Sequence, residues 1–185
     1  MSFESDNQKK YLGSVKKVAG SNKVAILYTS PSTILVDIQR AMDLADFKIH
    51  LPKDNPTLLK INISWQHFYP ACSSTPWQIE GVIKTMYNAG YEELLAAHNG
   101  TVVVDAKLGE VANKHKVVVD KYKIPNMHLE EPPVDWVEYH PKSKLHVLDH
   151  IFPNGIYIPD IFIGKNVIHL PTMKTHVFTT ITGAM

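Results

Sequence analysis

Apolar and polar positions along this chain change rhythm repeatedly, from the two-residue alternation or short apolar run of a strand to the 3.6-residue spacing of a helix. Lys23 to Thr29 reads as a first strand. From Ser32, placed as N-cap after Pro31, apolar residues recur at Ile34, Leu35, Ile38, Ala41, Met42 and Ala45, which is helical spacing. Leu58 to Ile63 is the next strand, of mixed apolar and polar character. The best-specified helix starts at Thr75, because Thr75-Pro76-Trp77-Gln78 combines a capping hydroxyl, a proline at the first helical position and a Gln spaced to complete a capping box. Ile79, Val82, Ile83 and Met86 form its apolar stripe, and Gly90 is placed to end it in a left-handed conformation.

Glu92 to Ala97 follows as a strand leading into His98-Asn99-Gly100. A third helix is predicted over Ala106 to Tyr122: Val117 to Val119 favour a strand locally, but Leu108, Val111, Ala112, His115, Val118, Val119 and Tyr122 fit one helical face. Met127 to Glu130 reads as a short strand before Pro132-Pro133. Trp136 to Tyr139 and Lys144 to Leu148 read as two strands joined by the HPKS turn, Gly155 to Ile158 as a further strand, and Val167 to Leu170 as the last. Strands alternating with helices over the first 125 residues imply an α/β fold: a mostly parallel or mixed sheet with helices on both faces, plus a small β-rich insertion near 134–158. Residues 1–22, polar and containing Gly13 and Gly20, are expected to form a loosely held arm, and 23–185 a single domain.

Composition narrows the function classes. An apolar content of 44% with 20% charged residues is ordinary for a globular protein, and a net charge of +1 with scattered basic residues provides no footprint for nucleic acid. No apolar run approaches the roughly 20 residues that span a bilayer, so no membrane partner is expected. The polar opening and the single cysteine, Cys72, agree with cytoplasmic residence.

In open parallel sheets, ligands bind beyond the carboxyl ends of the strands. Three strand exits carry polar side chains: Lys60 and Asn62 on the second strand, His98 and Asn99 on the third, and Lys174, Thr175 and His176 after the last, with Thr179, Thr180, Thr182 and Gly183 close behind. Ammonium groups, amides and hydroxyls beside the helix start at Thr75 suit an anion such as a phosphate or carboxylate. Each also has a structural role open to it. Lys60 can sit at the sheet edge, Asn62 can bond a turn, Thr75 is fully explained by capping, and the Thr-rich segment can be a polar loop leading into a helix. Cys72 and His67 share a loop, but a lone loop cysteine more often has no catalytic task, and His146 and His150 fall in a strand or turn pattern where four-residue spacing does not pair them. With ten histidines accidental clusters are expected, so a set such as His67, His98 and His176 is not assigned to a metal.

Two segments carry a resemblance. LPTMKTHVFTTITGAM resembles the late signature of the domain of unknown function 362 family, in which a strand ends in a Lys-Thr-His triplet followed by a Thr-Gly-Ala element. LLKINISWQHFYPACSSTPWQIEGVIKTMYNAGY resembles the earlier signature, a strand bearing Lys and Asn, a loop, a Ser/Thr-Pro helix start and a Gly near the next strand. With the IPDIFIGKNVIHLP run between them, the resemblance covers residues 24 to 185. It matches Lys60, Asn62, Lys174, Thr175 and His176 to signature positions, and Thr182 and Gly183 to a motif that continues in the family into a Lys-Asn pair and a glycine-rich turn. On this basis the chain is expected to end within its domain.

The resemblance implies no assigned activity. It does imply an association, since many members carry a ferredoxin-like iron-sulfur module after this domain. One cysteine cannot hold such a cluster, so any iron-sulfur module is expected beyond the C-terminus or in a partner. The leading expectation is an anionic small molecule or cofactor of unknown identity. Lys60 and Lys174 serve as its charge partners, Asn62, Thr175, Thr182, Gly183, His98 and Asn99 contribute to binding, and His176 and Lys174 are the candidate catalytic pair. The alternative is an accessory domain of an iron-sulfur electron-transfer protein.

Overall fold

The computed structural model describes residues 23–183. Four parallel strands form the central sheet: β1 (Thr57–Ile61), β2 (Leu94–His98), β3 (Asn126–His128) and β6 (Asn166–Leu170), in the order β3-β2-β1-β6. The short β4 (Trp136–Glu138) and β5 (Tyr157–Pro159) pair antiparallel, as do β7 (Lys174–His176) and β8 (Thr180–Thr182). Helices α1 (Ile34–Leu44), α2 (Phe47–His50), α3 (Pro76–Asn88), α4 (Ala106–Ala112), α5 (His115–Lys121) and α6 (Leu148–Ile151), with a 3-10 turn at Asp160–Phe162, complete the described elements. This is the expected α/β fold.

Strand alternation divides the core in two. Leu59, Ile61, Leu94 and Ala96 meet Ile79, Val82, Ile83 and Met86 of α3 and Val118 and Val119 of α5, with Ile38 and Met42 of α1 packed against them. Leu58 and Ala97 instead meet Leu129, Val134, Ile161 and Phe162. Each fully buried large aliphatic side chain contributes about 1.5–3 kcal/mol, so the helix-side cluster is the main source of cohesion. Helix α3 fits closely against α1, because a Cβ on Gly81 would lie 2.6 Å from Ile38 Cδ1.

The start of α3 follows its local chemistry. Thr75 Oγ1 accepts from the Gln78 backbone N–H at 3.3 Å, Pro76 opens the helix, and Gly90 at φ +82° follows its end. The other half of the capping box does not form, since Gln78 Nε2 is drawn to Pro171 O at 3.5 Å.

Four expectations are corrected. Lys23 to Thr29 pairs with no strand, and its Val24, Ile26 and Tyr28 are 87%, 80% and 99% exposed, so β-favouring residues here have no surface to pack on. Helix α1 is capped at Thr33 rather than Ser32, and the Thr33 hydroxyl donates to Asp37 Oδ2 at 2.6 Å instead of accepting from the helix. The 106–122 helix is two helices, broken where Lys114 adopts φ +65° and the Asn113 side chain donates to Gly109 O and Trp65 O. Lys144 to Leu148 is not a strand: Trp136–Glu138 pairs across a longer excursion with Tyr157–Pro159, and Leu148 begins α6. The expected arm, residues 1–22, lies outside the described residues.

Candidate functional site

The chain steps from β1 outward to β2 and β3, then returns to place β6 on the other side of β1. The strand order therefore reverses between β1 and β6, and the crevice beyond their carboxyl ends is where this architecture binds ligands. Residues from both exits converge there. Lys174 Nζ lies 3.1 Å from Thr172 Oγ1 and at a long 3.5 Å from Asn62 Oδ1, which also accepts from Ser64 Oγ at 2.9 Å.

A frame of serines holds the exits together. Ser74 Oγ accepts from Asn62 N at 2.9 Å and donates to Leu170 O, tying β1 to β6 directly before α3. Ser74 N donates to Asn62 O at 3.0 Å, Ser73 Oγ accepts from Ser64 N at 3.1 Å, and Thr172 Oγ1 donates to Cys72 O at 2.9 Å. Under this frame, buried His115 donates from Nε2 to Ser74 O at 2.6 Å, which fixes the proton on that nitrogen. Burial pushes the His115 pKa down to about 4, against the weaker opposing pull of the Ser74 carbonyl, so the ring is neutral at pH 7.

Lys60 and Asn62 have the same strand parity, on the side of Leu58. Lys60 Nζ is half-buried and donates to Ile61 O at 3.2 Å. Its pKa is lowered by burial, with the Glu130 carboxylate acting in the opposite sense. Among the described residues neither Lys60 nor Lys174 has a carboxylate within ion-pair distance.

The remaining expected residues are dispersed. Thr175 and His176 are exposed on β7, where His176 Nδ1 accepts from Phe178 N and Thr179 N at 3.2 Å each and shapes the β7–β8 turn. Thr182 Oγ1 donates to Thr172 O and Lys174 O at 3.4 and 3.3 Å, bracing the Lys174 segment. A Cβ on Gly183 would meet nothing within 4 Å. Asn99 Nδ2 donates to Gly100 O at 3.3 Å. Cys72 is a half-buried free thiol, while His67 packs edge-on against Trp65.

His98 belongs elsewhere. It has the parity of Leu94 and Ala96, so it faces the helices and not the side of Lys60. There it meets Glu110 of α4 and His128 at the end of β3, with Glu110 Oε2 3.0 Å from His98 Nε2 and 3.7 Å from His128 Nε2. Asn126 Nδ2 donates to the same oxygen at 2.6 Å. Burial opposes ionisation of Glu110, but the contacts from His98 and Asn126 and the fields of the two imidazoles outweigh it and hold the carboxyl below its ordinary range. The 3.0 Å contact is close but poorly aligned, leaving both His98 ring nitrogens and His128 Nδ1 without a directed hydrogen bond. Linear spacing gave no sign of Glu110, His128 or the serine frame; only the β2–β3 register, which sets His98 beside His128, unites this cluster.

An open depression of about 750 Å³ lies at the β2 exit, lined by Gln66, Gly100 to Lys107, Glu130 and Glu131. With three acidic residues on its wall, it is a poorer place for an anion than the Lys174 crevice. Among the described residues no helix is long and apolar enough to cross a membrane.

These features define a parallel α/β domain whose polar residues gather at a reversal of strand order. The sequence profile of the Domain of unknown function (DUF362) matches residues 57–185, and the chain belongs to that family. No curated protein and no solved structure matches it.

Proposed function

We propose that this chain binds a small phosphate- or carboxylate-bearing molecule in the crevice beyond β1 and β6. The observation that carries the reading is the Lys174 ammonium, held at the strand-order reversal by neutral oxygens of Thr172 and Asn62. Its positive charge has no carboxylate partner among the described residues, and an anion would supply one. Lys60 adds a second cation on the Asn62 side of β1. The Asn62 amide and Thr175 and Thr182 hydroxyls provide neutral hydrogen bonds, and the start of α3 adds the positive end of a 13-residue helix.

If the bound molecule is transformed, His176 is the acid/base. Its Nδ1 accepts from Phe178 N and Thr179 N, so the turn must release those bonds and let Nδ1 carry the proton before Nε2 can accept one, and Lys174 stabilises negative charge.

The test is a thermal-shift panel of inorganic phosphate, pyrophosphate and dicarboxylates on wild type, Lys60→Met and Lys174→Met. Stabilisation of wild type that falls in both variants supports the reading. Equal shifts in all three proteins, or none in wild type, would remove it.

A further inference from the structure

We propose that His98, Glu110 and His128 form a binding site for a divalent first-row transition ion of the zinc type, on the side of the sheet away from Lys60 and independent of the anion site. Three elements deliver the donors. Parallel pairing of β2 and β3 puts His98 opposite His128, with ring centroids 4.8 Å apart, and α4 lowers Glu110 over both. One ligand atom from each residue can be chosen so that all lie within 4.8 Å of one another. An ion with bonds of about 2.0–2.2 Å holds its donors roughly 3–4 Å apart, so only a small inward movement is required.

Donor chemistry selects the ion. Two imidazoles and one carboxylate suit zinc or ferrous iron, whereas magnesium and calcium prefer sets built from oxygen alone. Three protein donors are also the number that leaves a coordination position for water or substrate.

Packing alone does not account for the cluster. The side chains of His98, Glu110 and His128 are only 1%, 9% and 13% exposed, yet both ring nitrogens of His98 and one of His128 have no directed partner. A buried imidazole retained for structure normally satisfies at least one nitrogen, as His115 does against Ser74. An ion held at the ring edges, where His98 Nε2 and His128 Nε2 approach Glu110 Oε2, would take an in-plane lone pair from each ring. Asn126, donating to Glu110 Oε2, is the positioning residue that holds the carboxylate toward them.

The 185-residue chain, stripped with chelator and dialysed, is titrated with zinc in competition with a chromophoric chelator. One zinc per chain is expected. Glu110→Gln and His128→Ala should weaken it about 100-fold or more and Asn126→Ala about 10- to 100-fold, while His67→Ala leaves it unchanged. Because core variants can fail to fold, wild type is also followed by imidazole ¹⁵N NMR, where zinc should move two of the ten histidines, His98 and His128. No stoichiometric zinc on wild type, movement of a different histidine pair, or folded Glu110→Gln with wild-type affinity would each overturn the proposal.

Discussion

Replacing His115 with Gln should remove much of the acid sensitivity of this fold. The ring is completely buried, donates to Ser74 O, and has its pKa pushed down to about 4 by burial. In the unfolded chain the same imidazole titrates at its ordinary 6.5. Between those values the unfolded state binds a proton that the folded state refuses, so folding stability falls as pH drops from 6.5 toward 4 and then levels off for this group. At 1.36 kcal/mol per pH unit the loss is about 3 kcal/mol, a large part of the 5–15 kcal/mol by which domains are stable. Gln offers an amide N–H to Ser74 O and does not titrate. Urea unfolding followed by circular dichroism at pH 7.0, 6.0, 5.0 and 4.5 should show wild type losing most of this amount. The variant starts lower from imperfect packing but declines much less. Parallel pH profiles would refute the reasoning, because the proton would then be taken up elsewhere. Glu110 contributes in a lower window, since its depressed carboxyl loses stabilisation only as pH falls from the ordinary carboxylate value through its own.

Ser74→Ala leaves the Asn62 N–H without its acceptor and the Leu170 carbonyl without its donor, both near the β1–β6 joint. A cost of about 1–3 kcal/mol in urea unfolding is expected. Gly81→Ala places a Cβ 2.6 Å from Ile38 Cδ1, so overpacking of about 1–3 kcal/mol should exceed the roughly 1 kcal/mol gained in helix propensity, and a stabilised variant would show that α1 yields easily. Thr75→Ala removes the Gln78 cap at the start of α3 and should cost about 0.5–2 kcal/mol by the same assay.

Local chemistry was the most legible part of the fold. Thr75, Pro76 and Gly90 marked both ends of α3 because capping and left-handed turns depend on neighbours a few residues away. The reading failed where distant packing decides. Val24, Ile26 and Tyr28 have strand propensity but no partner strand, and the side chain of Asn113, anchored to Trp65 O, ends a helix whose apolar spacing continues through Val118 and Val119. The site divides in the same way. Lys174 and Asn62, expected from two strand exits, approach to 3.5 Å, whereas strand parity turns His98 to the opposite side. His176 and Thr175 adjoin Lys174 in sequence, but the β7–β8 hairpin leaves both exposed, a geometry the expected loop or helix start did not contain.

The anion site itself is tested most directly by isothermal titration of pyrophosphate into wild type and Lys174→Met. Loss of a charge-assisted contact worth about 1.5–3 kcal/mol should weaken binding at least tenfold while urea unfolding stays close to wild type. Equal affinity in the two proteins would contradict the assignment of Lys174 to an anionic ligand.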